Sequence, residues 1–201
     1  MIKLSTRLPK SFHLALSGGV DSIAACHFLS KKHTVTAIYV NQNEDDSEAT
    51  EDLVRRFCDK NNIELKIYSY IDEKDKSLSL EEYWREERYK IFHAIDDTVV
   101  TCHHLDDCVE TWIWSSMHGI GKIIPNANKN VVRPFLQTKK IEFERYAIKN
   151  DLPFVVDNSN LDLSRTRNYI RRVIMPHVLE VNPGIQKTIL KKVISDANCV
   201  Y

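Results

Sequence analysis

The run Ser17-Gly18-Gly19-Val20-Asp21-Ser22 constrains the fold more than any other part of this 201-residue chain. It follows the apolar stretch Phe12-His13-Leu14-Ala15-Leu16 and precedes an apolar-periodic run from Ile23 to Leu29. That order reads as strand, tight glycine turn, helix. Two adjacent glycines let the backbone take φ > 0 and approach a ligand closely. The helix that follows opens with unpaired N–H groups and the positive end of its dipole, which together make an anion site. Ser17 and Ser22 add hydroxyl donors. Asp21 stands out, because a carboxylate beside a bound phosphate repels it. A bridging cation, most simply Mg²⁺, resolves that conflict.

The first 120 residues alternate strand and helix. Strands are expected at Phe12–Leu16, Val35–Val40, Leu65–Tyr70 and Thr98–Cys102, and helices at Ser22–Ser30, Ser47–Asn61, Leu80–Ala94 and Asp106–Met117. This alternation implies an α/β fold, a parallel sheet with helices on both faces. Residues 121–130 hold Gly121, Pro125 and three Asn, which marks a boundary. Residues 1–130 are therefore expected to form the nucleotide-binding α/β domain, and residues 131–201 a small helical extension. Within the extension a helix is expected from Thr138 to Asn150. An Arg-rich helix should end near Pro176, and a last helix should follow Pro183.

In a parallel sheet, ligands bind outside the carboxyl ends of the strands. The glycine loop lies at one such end. His103-His104-Leu105-Asp106-Asp107-Cys108-Val109-Glu110-Thr111 lies at another, so the two motifs can face one pocket. On a helix beginning near Asp106, Asp106 and Glu110 are i,i+4 neighbours on one face. Acids in a first turn also simply suit the helix dipole. Adjacent histidines rarely point to one metal, and the i,i+4 spacing of zinc peptidases is absent.

The string SGGVDS resembles the pyrophosphate-binding loop of the PP-loop, or N-type, ATP pyrophosphatases. HHLDDxxET after the fourth strand, with SGGxDS after the first, resembles the tRNA(Ile)-lysidine synthetase family, a resemblance that covers about residues 10–185. Further stretches resemble that family in order: Ser79 to Tyr89 with its Arg and Arg-Tyr, Arg133-Pro134-Phe135-Leu136, Tyr146-Ala147 with Asp157-Asn158-Ser159-Asn160, and Arg167-Asn168-Tyr169-Ile170-Arg171 followed by Pro176 and Asn182-Pro183. The resemblance implies a ligase that uses ATP and Mg²⁺. Such an enzyme adenylates the oxygen at carbon 2 of the wobble cytidine in an isoleucine tRNA with a CAU anticodon. The ε-amine of L-lysine then displaces AMP. It implies that Ser17, Gly18, Gly19, Val20, Asp21, Ser22 and His103 hold the nucleotide, and that Asp21 and Asp107 hold the metal. Asp21, Asp106, Glu110, Arg88 and Arg167 fit the catalytic roles, and Glu110, one helical turn beyond Asp106 on the same face, is the expected general base for the amine. Arg133, Arg167, Arg171 and Arg172 are expected to meet RNA.

After the second strand the family has Asn-His-Gly-Leu-Arg, whereas this chain has Asn41-Gln42-Asn43-Glu44-Asp45. The extra C-terminal domains of many family members find no counterpart in it. A thiolase or amidotransferase-type relative is a competing reading, but a thiolase would want paired reactive cysteines. The five Cys (26, 58, 102, 108 and 199) are scattered without a CxxC pair, and they read as buried thiols. A non-catalytic nucleotide- or RNA-binding relative is the other.

Composition excludes little: 43% hydrophobic and 28% charged residues suit a globular domain. No apolar stretch is long enough to span a membrane and no signal peptide precedes the first strand, so the expectation is a cytoplasmic protein without a membrane partner. A homodimer is one assembly open to it. The net charge of zero hides an asymmetry. Residues 1–120 carry 14 Lys+Arg against 21 Asp+Glu, and residues 121–201 carry 14 against 7. The basic third is the candidate RNA face.

Overall fold

The fold is a computed structural model that describes residues 1–42, 47–69, 80–156 and 162–198. The strands are β1 (Ser11–Ala15), β2 (Thr34–Asn41), β3 (Glu64–Ser69), β4 (Val99–Val100), β5 (Ala127–Asn128) and β6 (Val131–Val132). They form one sheet in the order β3-β2-β1-β4-β6-β5. Every pairing is parallel except β5 with β6. The sheet positions the site because β1 and β4 are neighbours, with His13 opposite Val99 and Leu14 opposite Val100. The loops that leave their carboxyl ends therefore rise side by side.

Alternation along β1 builds a layer on each side of the sheet. Phe12, Leu14 and Leu16 point into the larger core with Ile23, Leu29, Val54, Phe57 and Phe143. These come from helices α1 (Val20–Ser30), α2 (Ser47–Lys60) and α5 (Lys140–Lys149). The opposite face packs Ile38, Val99 and Val131 against Phe92 of helix α3 (Leu80–His93), with Ala15 and Tyr89 alongside. A third cluster joins Cys108, Val109 and Ile113 of helix α4 (Leu105–Met117) to Ile185, Ile189 and Val193 of helix α8 (Ile185–Asn198). Leu14, Ile23, Phe57, Phe143 and Ile189 are at most 1% exposed, and full burial of each such side chain contributes about 1.5–3 kcal/mol.

The sheet draws on both sides of residue 130. Strand β6 pairs with β4, and α5 packs on α1. The expected boundary at 130 falls inside the β5–β6 hairpin.

The Arg-rich helix, expected to end near Pro176, continues past it. Helix α6 (Thr166–Tyr169) runs through a π-helical stretch, Ile170–Ile174, into helix α7 (Met175–Val181). Proline lacks an N–H and its ring collides with the carbonyl four residues back. The Met175 N–H instead donates to the carbonyl of Ile170, five residues back. This widened turn lets the chain pass the proline while staying helical.

Candidate active site

The glycine loop folds as its composition dictates. Gly18 has φ +79°, and a Cβ there would lie 2.7 Å from Cγ2 of Thr50. Only glycine satisfies both the backbone and the approach of α2. Ser22 Oγ donates to the Gly19 carbonyl at 3.0 Å and accepts the Ser17 N–H at 3.1 Å, which curls the loop onto the first turn of α1. Gly19 is the N-cap of α1 without a side-chain cap. The N–H groups of that turn are thus presented to a ligand. From the far side the Val155 N–H donates to the Gly18 carbonyl at 3.0 Å. The signature Asp157-Asn158-Ser159-Asn160 follows directly and lies outside the described residues, as do Asn43, Glu44 and Asp45.

The second motif begins α4. His104 is its N-cap in extended conformation. The His104 N–H donates to Asp107 Oδ2 at 2.9 Å, and the Asp107 N–H points to His104 Nδ1 at 3.3 Å. His104 Nε2 lies 3.6 Å from Asp21 Oδ2. The histidine therefore ties the two motifs together from beneath, itself only 2% exposed. Burial opposes a charged imidazole there, yet the carboxylates of Asp107, Asp21 and Asp106 outweigh it and hold His104 up at about 9. Nδ1 sits 3.4 Å from Asp107 Oδ2 and can donate to it once protonated, at the expense of the long amide contact. Burial likewise pushes the Asp107 carboxyl upward, but His104 and Arg167 prevail and hold it down at about 2. His104 was not among the expected site residues. Its spacing to Asp107 is that of a capping box, and that signal could have found it.

These elements enclose a cavity of about 300 Å³, at the small end of ligand pockets. Ser17, Asp21 and Ser22 line it from the loop. Thr101, Cys102 and His103 line it from beyond the end of β4, Asp107 from the first turn of α4, Arg85, Arg88 and Tyr89 from α3, Gln42 from beyond the end of β2, and Arg167 from α6. Burial drives His103 down to about 3, so its ring is neutral, and Nδ1 is 3.0 Å from Thr101 Oγ1. Burial also lifts the Cys102 thiol well above its usual range, so it is not a thiolate. Arg167 Nη2 lies 3.5 Å from Asp107 Oδ1.

Four expected site residues stand elsewhere. Asp106 accepts the Lys140 N–H at 2.8 Å and the Gln186 amide at 2.9 Å. It anchors α5 and α8 to α4 and does not line the cavity. Glu110 is 3% exposed, and both of its oxygens accept from Arg171, Nε at 2.7 Å and Nη2 at 3.0 Å. A carboxylate held in a bidentate guanidinium fork is a poor general base, so that expectation is corrected. The same fork takes Arg171 out of the expected RNA rake. Arg133 is 3% exposed and donates to Pro125 and Tyr89, so it cannot meet RNA. Arg172 is exposed, as an RNA contact requires.

A resident magnesium is tested by what the carboxylates lack. Asp21 Oδ1 is buried and has no hydrogen-bond partner. Asp107 shares the cavity. Two carboxylates completed by phosphate oxygens and water are the usual holders of Mg²⁺, so the residues fit the ion. Among the described residues no group of three or more acids, His or Cys forms a closed metal cage.

The family described as PP-loop domain matches residues 3–178. The tRNA(Ile)-lysidine synthase of Thermotoga maritima is 32% identical over 199 residues, covering 90% of this chain and 48% of that protein. That of Buchnera aphidicola subsp. Acyrthosiphon pisum is 34% identical over 184 residues, covering 83% of this chain and 42% of the relative. The chain spans about half the length of the curated relatives it matches. Among solved structures, the U34-tRNA thiolase NcsA from Methanococcus maripaludis aligns with a TM-score of 0.76 at 18% identity, over 100% of this chain and 74% of that one. That likeness concerns the fold. Among the described residues no helix is long and apolar enough to cross a membrane.

Proposed function

The chain belongs to the PP-loop domain family, and from that premise we propose that it is the adenylating core of a tRNA(Ile)-lysidine synthase. One observation carries the reading: the orphaned Oδ1 of Asp21 sits in a phosphate loop that shares its cavity with Asp107, Arg88 and Arg167. A carboxylate oxygen without a partner beside donors for an anion fits a triphosphate with its cation. The identity to lysidine synthases across nearly the whole chain supports the same conclusion.

In this reading the loop amides, Ser17 and Ser22 bind the phosphates. Asp21 and Asp107 would hold Mg²⁺, which when bound neutralises charge on the triphosphate. The cytidine O2 attacks the α-phosphorus and pyrophosphate leaves. Arg88 and Arg167 stabilise the charge that develops there. The lysine ε-amine then attacks carbon 2, loses a proton and displaces AMP. Glu110 acts through Arg171, which it holds beside Asp107. The neutral ring of His103 and the unionised Cys102 add no charge to the cavity beside Asp107, and thiol chemistry is not favoured there.

The test is incubation with ATP, Mg²⁺, labelled lysine and an isoleucine tRNA bearing a CAU anticodon. AMP, pyrophosphate and label in the nucleoside are expected. Formation of ADP and phosphate refutes adenylation. AMP without label in the nucleoside refutes lysine or this tRNA as the acceptor pair.

A further inference from the structure

Arg133 is a buried cation without a balancing ion pair among the described residues. Its Nη1 donates to the Pro125 carbonyl at 2.8 Å and its Nη2 to the Tyr89 hydroxyl at 2.7 Å, while its Nε finds no acceptor. A buried guanidinium left so incompletely satisfied is costly, and an unexplained cost of this kind points to a role. Tyr89 is the other half of the pair. It lines the cavity, and Arg85 lies 4.9 Å over its ring. Its hydroxyl oxygen is taken by Arg133, and its own hydrogen has no acceptor among the described residues. A hydroxyl that accepts from a cation is polarised and donates more strongly. Arg85, Arg88 and Arg167 line the same cavity and offer donors only, so an anionic ligand drawn to them brings acceptor oxygens to the Tyr89 side of the cavity.

We propose that Tyr89 donates its hydroxyl hydrogen to a phosphoryl oxygen of the bound nucleotide, with Arg133 as the buried positioning cation that aims it. This rests on the adenylating reading of the cavity. It also gives the Arg133-Pro134 motif a task inside the protein.

Calorimetric titration of the full chain with ATP, inorganic pyrophosphate and adenosine tests it. Tyr89→Phe keeps the ring under Arg85 and removes only the hydroxyl. It should weaken ATP and pyrophosphate about tenfold, the scale of a hydrogen bond to a charged group, with adenosine affinity unchanged and a lowered Tm, because buried Arg133 loses an acceptor. Arg133→Lys keeps the charge but loses the planar fork, and should reproduce the same pattern. If the lysine variant fails to fold, Tyr89→Phe still decides. Unchanged ATP and pyrophosphate affinity in Tyr89→Phe, or an adenosine affinity that falls in step, overturns the Tyr89 assignment alone. A wild-type chain that binds none of the three ligands refutes the nucleotide reading, and the Tyr89 assignment falls with it.

Discussion

Gly18 shows how one atom can decide a phosphate site. A methyl group there meets Cγ2 of Thr50 at 2.7 Å on a backbone already at φ +79°. Gly18→Ala should cost about 2 kcal/mol or more, since a non-glycine residue in that region is strained even without the clash. Urea denaturation should show the loss, and ATP affinity should fall with it because the loop must shift. Wild-type stability and affinity in the variant would mean that α2 yields freely. Glu110 teaches the complementary point. Its place one turn after Asp106 suggested a base aimed at the pocket. Packing gave it a guanidinium fork instead, and its burial makes that pairing obligatory. Periodicity told which face of α4 Glu110 occupies, but not which distant side chain waits on that face.

The elements themselves were legible. The strands and helices of the first 120 residues stand where apolar periodicity put them, within a few residues at either end. The continuation past Pro176 was not, because the widened turn that accommodates it leaves no mark in the pattern. Asp106 illustrates how elements are joined. It caps the first turn of α5 through the Lys140 amide and holds Gln186 in the first turn of α8. Asp106→Ala should therefore loosen both helices. With its side chain about a quarter exposed, a loss of about 2 kcal/mol is expected in chemical denaturation. ATP affinity should change far less than in Asp107→Ala, whose side chain lines the cavity. Equal effects on affinity would return Asp106 to the site.

Across the molecule, charge separates along the chain. The acidic first 120 residues supply Asp21 and Asp107, and the basic last third supplies Arg167 and exposed cations at Lys139, Arg145, Arg172, Lys187, Lys191 and Lys192. If the basic side grips RNA, affinity for tRNA must fall steeply with salt through counterion release. Lys187 and Lys191 are one turn apart on α8 and both exposed. Replacing both by alanine should flatten the slope of log affinity against log salt by about one to two units, with Tm intact. Filter binding across a salt series measures this, and an unchanged slope would move the RNA face elsewhere. The exposed lysines are a cleaner test than Arg167 and Arg171, which the structure holds against Asp107 and Glu110.

By itself the sequence determined what is local. A glycine pair after an apolar strand specifies a phosphate loop, because φ > 0 and close approach are properties of single residues. Strand–helix alternation specifies a parallel sheet and puts both motifs at carboxyl ends of strands, while the neighbourhood of β1 and β4 came from the sheet order. Partnership was decided only by the tertiary structure. Glu110 and Arg171 are 61 residues apart, Tyr89 and Arg133 44, and Asp106 and Gln186 80. A charged side chain acts as base, strut or ligand according to its burial and to the groups that face it. Those groups arrive from segments whose distance along the chain carries no sign of the contact.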